Sequence, residues 1–565
     1  MRQVLVIFVV WLASSFDATI AFAESQGDVT GNDVPSATEQ AIAEKVITDD
    51  VVRAHVRFLS HDLLEGRGPG SRGDRLAQQY IVSQFQSLGL KPAAADGSWF
   101  QPFPLVGVTT HAPDTVTLVN AQQRLTLKRH DDYVFASGRA EANVSFEDAE
   151  LVFVGYGIVA PEYQWDDFKG VDLRGKVLVV MNNDPADDPD LFAGSRRLYY
   201  GRWTYKYEKA AELGAAGAII IHTTPSAGYP YQVVQTSWSG EESELKEHGG
   251  PRMAMKGWFS DDAARRVVGL SGHDLDALRA AAEKRDFRPV PLGTRLSLSM
   301  TCDVRENSTA NVLGILPGSD SARAKETVVF MAHHDHIGLA ETRDKSGDNI
   351  YNGAVDNASG VAGMLAIARA CAELDPRPAR SIMFAAVGAE EQGLLGSAHM
   401  AAHPPIPAGY LAAVLNIDGI NILGLTHDVN VIGLGKSDMD VAVEEIAKWQ
   451  RRYVTPDHFP DRGYYYRSDQ FSLAKIGVPG VYLHSGIEVV GKEDGWGRKQ
   501  LEAWTEKYYH QTSDEYSEDW DLTGAVADLR LLFHVGMHTA RQPTMPAWTP
   551  GDEFEAARQQ ALQQR

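Results

Sequence analysis

The sequence predicts an α/β fold, a mostly parallel mixed sheet flanked by helices, in its C-terminal half. From residue 311 onward, short apolar runs rich in β-branched residues alternate with segments whose apolar residues recur at helical spacing. Strands are predicted at 312–316, 327–332, 381–387, 412–417 and 480–483, and helices at 360–374, 390–399 and 441–449. This alternation is typical of parallel sheets, in which helices carry the chain from one strand to the next.

Composition places the chain among ordinary globular proteins. It has 565 residues, 44% of them hydrophobic and 23% charged, which suggests roughly three or four domain-sized units. With 75 Asp and Glu against 53 Lys and Arg, the net charge is −22. That sign favours solubility and makes nucleic acid an unfavourable partner. The two cysteines, Cys302 and Cys371, could form a disulfide or remain two buried free thiols. In either case, two cysteines cannot hold together a chain this long.

The N-terminus has the pattern of a secretory signal peptide. Arg2 precedes an apolar run from residue 4 to 13, and a small-x-small motif ends at Ala23. The alternative is an uncleaved anchor, but the run is shorter than the roughly 20 residues that a membrane helix needs. We therefore expect cleavage after Ala23 and a mature protein that is secreted or periplasmic, with no membrane attachment after cleavage.

Histidines and carboxylates occur in order along residues 333 to 510, most of them where a predicted strand ends. Ligands in open α/β sheets bind beside the carboxyl ends of the strands, so these side chains are expected to converge. Imidazole and carboxylate suit zinc, and the set holds enough ligands for two adjacent metals with one carboxylate to spare. The residues are His333, Asp356, Glu390, Glu391, Asp418 and His510. Such a centre is suited to hydrolysing an amide bond.

Taken singly, these residues have simpler explanations. Asp418 at a strand end could be a turn or cap residue. Glu390 and Glu391 could be a solvated pair at a helix start, where acidic residues suit the helix dipole. His484 ends another predicted strand and competes with His510, which lies in a polar stretch of undetermined structure. Only the complete set makes a metal centre the better interpretation.

Five segments around these residues resemble the M28 family of metallopeptidases, the co-catalytic zinc aminopeptidases. They occur in the family's order with family-like spacing, at 332–338, 353–360, 389–397, 415–418 and 509–514. The resemblance covers about residues 305–540 and implies a zinc-exopeptidase-like fold. Residues from about 146 to 295 also resemble the β-rich protease-associated insert domain that some members carry.

The resemblance implies a role for each residue and a cofactor of two Zn²⁺ per chain. Asp356 would bridge the metals, His333 and Asp418 would complete one position, and Glu391 and His510 the other. Asp335 would orient His333, and Glu390 would be the general base. The family's ligand is the histidine two residues before the aspartate, which favours His333 and leaves His334 and His336 as structural or rim residues.

An oxyanion donor is also expected. Residues 464–470 resemble the family's Tyr-x-x-Ser-Asp segment, in which Tyr465 lies three residues before Ser468. Tyr465 is therefore the candidate donor, although the three consecutive tyrosines could equally form a packed or substrate-facing wall. The family's histidine after Ser-Asp is Gln470 here.

These observations predict an exported di-zinc aminopeptidase that acts on peptides with a free N-terminus. The predicted segments are a signal peptide (1–23), a disordered linker (24–38), helices and strands belonging to or packing on the peptidase domain (39–145), the insert (146–295), the peptidase domain (296–545) and a polar tail (546–565). Alternatives on the same scaffold are a carboxypeptidase, with Arg467 as the carboxylate clamp, and a single-zinc glutaminyl cyclase. A non-catalytic receptor-like module is disfavoured because all ligand positions are intact.

Overall fold

A computed structural model describes residues 35–186, 188, 191–194, 196–238, 240–247, 250–340 and 342–565. Its helices are α1 (Ala37–Val46), α2 (Asp49–Leu59), α3 (Arg72–Ser87), α4 (Trp203–Glu212), α5 (Thr224–Ala227), α6 (Tyr231–Ser237), α7 (Asp261–Leu270), α8 (Leu275–Ala282), α9 (Gly360–Ala372), α10 (Leu395–Ala402), α11 (Met439–Trp449), α12 (Gln470–Ala474), α13 (Trp496–Lys507), α14 (Thr523–Arg541) and α15 (Glu555–Gln563).

The strands belong to one large mixed sheet and two small hairpins. They are β1 (Lys91–Pro92), β2 (Phe100–His111), β3 (Thr115–Val119), β4 (Arg124–Lys128), β5 (Tyr133–Ser137), β6 (Asn143–Phe153), β7 (Val159–Ala160), β8 (Trp165–Asp166), β9 (Val177–Met181), β10 (Gly217–His222), β11 (Glu241–Leu245), β12 (Met255–Ser260), β13 (Val290–Leu316), β14 (Thr327–His333), β15 (Gly338–Leu339), β16 (Ile350–Tyr351), β17 (Ser381–Val387), β18 (Leu411–Asn416), β19 (Asp428–Ile432), β20 (Tyr453–Pro456) and β21 (Gly480–His484).

The C-terminal half is built on a mostly parallel mixed sheet, which confirms the predicted fold class. Strand β14 pairs in parallel with β17 on one side and with β18 on the other, and β18 continues in parallel to β21. Strand β19 runs antiparallel to β21, and the end of β13 runs antiparallel to β17. Because β14, β17, β18 and β21 point the same way, their carboxyl ends share one edge of the sheet.

Helices cover both faces of this sheet, and the residue pattern of β14 shows why. Its side chains alternate between faces, as in any strand. Val328 and Phe330 join the core formed with α1, α2, α9 and α14, whereas Val329 and Met331 join the core formed with α10 and α12. Both faces are therefore apolar, as expected for a buried parallel strand.

The N-terminal helices are fixed to the sheet through the Gly-rich segment at residues 64–71. Arg67 is buried and donates hydrogen bonds of 2.6–2.9 Å to the carbonyls of Leu59, His334, Asn352 and Gly353. A Cβ at Gly66 would lie 2.4 Å from the Gly338 carbonyl oxygen, so only glycine permits this approach. The segment is thus a connector beneath the loops that carry the predicted ligands, not a cover over a cleft.

A second unit contains most of the remaining strands. Strands β6, β9, β10 and β12 pair in parallel in that order, and β5 closes them in antiparallel fashion. Its core includes Val108, Leu118 and Tyr133, which precede the predicted insert boundary at residue 146. The unit therefore draws on strands that the sequence pattern had grouped with the peptidase domain.

Strand β13 joins the two units without a break. Its first half pairs with β6 and β3, its middle with β2, and its last residues with β17 of the central sheet. The predicted boundary between residues 295 and 296 consequently falls inside a strand. A continuous hydrogen-bonded ladder across both units fixes the position of the insert relative to the central sheet.

Several predicted boundaries differ from the structure. Glu390 does not begin a helix: residues 390–394 form a turn, in which Leu394 has φ of 62°, and α10 starts at Leu395. At the C-terminus the predicted polar tail contains α15, where the buried Arg558 donates to the Leu411 carbonyl. The polar composition of this segment did not predict that it docks on β18.

The predicted disordered linker ends earlier than residue 38. Helix α1 begins at Ala37, because Ser36 and Glu39 form a reciprocal capping box. The predicted signal peptide and the linker up to residue 34 lie outside the described residues. Cys302 and Cys371 are buried free thiols. Within the part of the chain that the structure describes, no helix has the length and apolar character needed to cross a membrane.

Candidate active site

The predicted ligands converge at the carboxyl edge of the central sheet. His333 is the last residue of β14, Glu390 and Glu391 follow β17, and Asp418 follows β18. Asp356 lies in the helical turn Ala354–Ser359 that precedes α9. The parallel arrangement of the strands brings these side chains together although they are spread over 86 positions of the sequence, from 333 to 418.

One group of potential ligands forms around His333. Its Nε2 lies 3.3 Å from Asp356 Oδ1 and 3.3 Å from Asp418 Oδ1. The Ser468 hydroxyl donates to the other Asp418 oxygen at 2.6 Å and accepts from the Asn416 amide at 2.6 Å. This short chain of hydrogen bonds directs one oxygen of Asp418 towards His333.

A second group forms on the other side of Asp356. His510 Nε2 lies 3.4 Å from Asp356 Oδ2 and 3.0 Å from Glu391 Oε2. His333 and His510 thus contact different oxygens of Asp356. Each also contacts a second carboxylate, Asp418 for His333 and Glu391 for His510. The arrangement could hold two cations that share the carboxylate of Asp356.

His336 also lies in this second group, which its predicted role as a structural or rim residue did not anticipate. Its Nδ1 is 2.5 Å from Glu391 Oε1, and its buried Nε2 has no hydrogen-bond partner among the described residues. His336, Asp356 and Glu391 bring one ligand atom each to within 4.8 Å of one another. His336 nevertheless contacts Glu391 alone, whereas His510 contacts both Glu391 and Asp356. We therefore favour His510 as the ligand.

The Asp356 turn is fixed from two directions. The carboxylate of Asp514 accepts the backbone N–H groups of Val355 and Asp356, at 3.0 and 3.1 Å. The buried Asn357 side chain donates to the Ile417 carbonyl and accepts from Gly419 N–H. Asn357 therefore links the Asp356 turn to the Asp418 loop, and its burial leaves no room for a glycan.

Asp335 lies beside His333, but its carboxylate has another partner. The Nδ1 of His333 is 3.3 Å from the Asp335 backbone carbonyl and 3.8 Å from its carboxylate. That carboxylate accepts the backbone N–H groups of Glu390 and Glu391, at 3.0 and 3.4 Å. Asp335 thus positions the Glu390 turn directly, and the contact that would orient His333 comes from its main chain.

The two adjacent glutamates have opposite environments. Burial raises the pKa of Glu390 well above its usual value, although the charge of His333 opposes the shift. Burial and Asp356 also act to raise the pKa of Glu391, but the charges of His510 and His336 outweigh them and bring it to about 2. Glu390 Oε2 is 3.9 Å from His333 Nε2, beyond hydrogen-bonding distance. The geometry leaves Glu390 as the carboxylate outside both ligand groups.

The remaining histidines near the site have other environments. His334 turns away from the carboxylates, and its Nε2 lies 2.9 Å from Asp74 in α3. His484 lines the cleft, where its ring stacks on Tyr464 with centroids 4.7 Å apart. Burial lowers the pKa of His484 to about 4, so this imidazole is neutral near pH 7.

The predicted role of Tyr465 is wrong. Its ring packs with Phe554 and under Lys436, whose Nζ is 5.0 Å from the ring centroid. It lines neither cavity beside the carboxylates. The reason is local: residues 464–466 form a tight helical turn, so successive tyrosines point in different directions and Tyr464 faces the cleft instead.

Tyr509 escaped the sequence interpretation, and Arg467 entered it only as the carboxylate clamp of the carboxypeptidase alternative. Tyr509 stacks on His510 with ring centroids 3.9 Å apart, and its hydroxyl accepts a hydrogen bond from Arg467 at 3.0 Å. Both residues line the cavity beside Asp356 and Glu390. Their positions directly before His510 and Ser468 were available signals, because both neighbours belong to segments that carry the family resemblance.

The insert contacts the predicted metal centre directly. Ser237, the last residue of α6, has its hydroxyl 3.0 Å from His510 Nδ1. The neighbouring Thr236 hydroxyl donates to the His510 backbone carbonyl at 3.4 Å. A partner on Nδ1 fixes the ring orientation and tautomer, so that Nε2 faces Glu391 and Asp356.

The charges at this edge fit divalent cations. The buried carboxylates of Asp356 and Glu391 carry negative charge that would be costly without a close counter-charge. Burial lowers the pKa of His510, but the charges of Glu391 and Asp356 outweigh it and raise the pKa to about 10. Imidazole nitrogens and carboxylate oxygens in this arrangement are the donors that zinc prefers.

Two cavities meet at Glu390. The first, of about 140 Å³, is lined largely by apolar and aromatic side chains, including Ile420, Phe459 and Trp504. The second, of about 310 Å³, is a groove between the insert and residues 390–395 and also reaches His510. The centre can therefore be reached by a chain whose two ends lie in different cavities.

With this geometry established, residues 311–533 match the family model described as peptidase family M28. The similarity to peptidase family M28 covers this segment, which is less than half of the chain. The match contains every predicted ligand, from His333 to His510.

Comparisons with individual proteins cover different extents. An aminopeptidase from Aneurinibacillus sp. strain AM-1 shares the fold, with a TM-score of 0.52 and 19% identity over 91% of this chain and 98% of that one. A probable zinc metalloprotease of Leptosphaeria maculans is 33% identical over 129 residues, 23% of this chain and 26% of that one. A 1-deoxy-D-xylulose-5-phosphate synthase of Streptomyces griseus is 27% identical over 156 residues, 26% of this chain and 23% of that one.

The chain thus spans about a quarter of the length of either curated relative. Their names describe different chemistries, and neither match is long enough to transfer an activity. The ligand geometry therefore carries the functional argument.

His510 and His336 can be distinguished by metal content. We expect His510→Ala to bind one zinc fewer per chain than the unaltered protein, because it removes the nitrogen that contacts both Glu391 and Asp356. His336→Ala should keep the full complement, since it removes a contact to Glu391 alone. Elemental analysis after dialysis measures both. Loss of one zinc in His336→Ala with none lost in His510→Ala would reverse the assignment.

Replacing Ser237 tests the contribution of the insert. We expect Ser237→Ala to weaken zinc binding at the His510 position by about 10- to 100-fold, the usual cost of removing a partner that orients a metal ligand. Competition with a chromophoric chelator measures the affinity. Ser145→Ala, an exposed serine of β6 in the same unit, is the control and should leave the affinity unchanged. Equal affinities in the two variants would show that the Ser237 contact is dispensable.

Proposed function

We propose that the chain is an exported di-zinc aminopeptidase, which removes N-terminal residues from peptides. One observation carries the proposal: His333 and His510 contact opposite oxygens of Asp356, and each has a further carboxylate of its own. This arrangement supports two cation positions and exceeds what a single-zinc cyclase would need. When bound, zinc would act as a Lewis acid that polarises the scissile carbonyl and acidifies water.

Glu390 is the residue best placed to move the proton. It borders both cavities, and it is not part of either ligand group. Its raised pKa suits a carboxylate that accepts a proton from water at one step and releases it to the leaving amine at the next. The Asp335 carboxylate fixes the backbone at Glu390 and so limits where that side chain can reach.

The cavities suggest how a peptide lies in the site. The first cavity ends among Leu501, Trp504 and Phe459, and suits the side chain of the first residue. The substrate's ammonium group would lie near the carboxylate of Asp418, which lines the same cavity and whose negative charge favours it. The groove beside the insert would take the residues that follow the scissile bond, because it is the larger of the two cavities and adjoins the first at Glu390.

Export and the identity of the insert belong to the same proposal. The apolar run at residues 4–13 and the cleavage motif ending at Ala23 support export. We also propose that the β-rich unit is a protease-associated domain. Its contact between Ser237 and His510 and its share of the groove wall support a role in substrate binding.

Substrate blocking tests the reaction. We expect the zinc-loaded protein to hydrolyse leucine para-nitroanilide and unblocked peptides, and to lose this activity with a chelator and regain it with zinc. N-acetylated peptides should be cleaved at least about 100-fold more slowly, because the acetyl group removes the ammonium charge. Product release followed by absorbance and chromatography measures both rates. Cleavage of blocked peptides from their free C-terminus would instead indicate a carboxypeptidase.

Glu390→Gln separates chemistry from metal binding. We expect kcat to fall by about 10²–10⁴, the usual contribution of a general base, while the zinc content stays unchanged. Glu373→Gln is the matched control, because Glu373 forms a surface ion pair with Lys45 and should keep full activity. If turnover survives in Glu390→Gln with full metal content, another group is the base.

A further inference from the structure

The groove between the insert and the peptidase domain contains two arginines that lack a carboxylate partner. Arg202 lies directly before α4 of the insert, and Arg467 lies between Tyr466 and Ser468 of the peptidase domain. Both line the groove that also reaches Glu390 and His510. Among the described residues, neither guanidinium lies within 4.0 Å of an acidic side chain.

Arg467 lies at the junction of the two cavities, enclosed by aromatic rings. Its Cζ is 5.6 Å from the ring centroid of Tyr229, 5.4 Å from that of Tyr464 and 5.9 Å from that of Tyr509. Its hydrogen bond to the Tyr509 hydroxyl uses one of the five N–H groups of a guanidinium. The rings hold the cation in place, and the Tyr509 hydroxyl is the one hydrogen-bond acceptor of this guanidinium among the described residues.

The guanidinium of Arg202 has fewer hydrogen-bond partners than that of Arg467. Its Nε is buried and has no hydrogen-bond partner in the described part of the chain. Its Cζ is 5.9 Å from the ring centroid of Trp203. Burial lowers the pKa of Arg202 to about 10, and the nearby charge of Arg467 acts in the same direction. Two cations are thus held close together in a protected place, an arrangement that an anion would stabilise.

Other charged residues of the same groove are paired. Lys256 lies 3.1 Å from Glu242, and Arg252 lies 3.1 Å from Glu244. Buried arginines elsewhere that lack a carboxylate, such as Arg67 and Arg558, donate to backbone carbonyls instead. Among the described residues, Arg202 and Arg467 have no such carbonyl acceptors, so their wall of the groove is where a substrate carboxylate can bind.

We propose that Arg202 and Arg467 together bind a carboxylate on the residue that follows the scissile bond. Both arginines line the groove that we assign to the residues after the scissile bond, and Arg467 also borders the first cavity. Guanidinium groups bind carboxylates through parallel, charge-assisted hydrogen bonds. The carboxylate is either the C-terminus of a dipeptide or an acidic side chain at the second position. The inference rests on the proposed aminopeptidase function and specifies its substrate class.

Binding to a variant that does not turn over tests this inference. The dissociation constants of Leu-Gly and of Leu-Gly-amide for zinc-loaded Glu390→Gln are measured by calorimetry. Leu-Glu-amide and Leu-Gln-amide form the second pair. We expect the carboxylate member of at least one pair to bind about ten-fold more tightly, the effect of one charge-assisted hydrogen bond. Tighter binding of Leu-Gly than of Leu-Gly-amide shows that the arginines bind the C-terminal carboxylate. Tighter binding of Leu-Glu-amide than of Leu-Gln-amide shows that they bind an acidic side chain.

Variants show whether the arginines cause the preference. In the Glu390→Gln background, Arg202→Gln and Arg467→Gln should each reduce the ratio within the preferred pair to near one. Arg202→Lys keeps the charge and should retain part of it, which separates charge from a folding defect. Arg252→Gln, which removes a paired arginine of the same groove, should leave the ratio unchanged. Equal binding within both pairs, or a preference that persists without either arginine, overturns the inference.

Failure of the proposed function gives a different result. If the protein with Glu390 intact hydrolyses no unblocked substrate, the aminopeptidase proposal fails, whereas the ratio of dissociation constants still decides whether the arginines bind a carboxylate. If leucine para-nitroanilide is hydrolysed and the ratios are one, only the carboxylate inference fails.

Discussion

Buried negative charge at one edge of the central sheet is the constraint on which the rest of the structure depends. Six carboxylates lie there, on Asp335, Asp356, Glu390, Glu391, Asp418 and Asp469. Three imidazoles and the more distant Arg67 oppose them, and the two oxygens of Asp469 have no hydrogen-bond partner within the described residues. Buried charges are costly unless they are paired. The fold concentrates them at the ends of parallel strands, where divalent cations can supply the missing charge.

The insert is part of this centre and not only a neighbour of it. Strand β13 runs through both units, so the insert cannot move away without breaking a ladder that reaches the central sheet. That rigidity allows Ser237 to hold His510 and allows Arg202 to face the groove beside Arg467. A site assembled from two units can select substrates through side chains of both the insert and the peptidase domain. A cleft formed by the sheet edge alone would lack the side chains of the insert.

The sequence predicts most of the fold and the ligand set, for physical reasons that also explain its failures. Strand β17 and the glutamates after it were predictable because apolar runs and strand ends are local patterns. Ser237 was not, because 273 residues separate it from His510 and no local pattern links them. Tyr465 failed because one helical turn decides which of three tyrosines faces the cleft. The contact of His336 with Glu391 was not predictable, because it depends on the conformation of two loops.

The contrast between Glu390 and Glu391 shows how one dipeptide can provide both a base and a ligand. Ala389 has φ of 57°, and the chain then turns through residues 390–394 before α10 begins, so the two side chains diverge from one short turn. The turn is held because Asp335 accepts both backbone N–H groups. One carboxylate therefore meets two histidines, which keep it ionised, while the other meets mainly buried surroundings, which favour its protonated form. Adjacent groups with pKa values pushed in opposite directions are what acid–base chemistry requires.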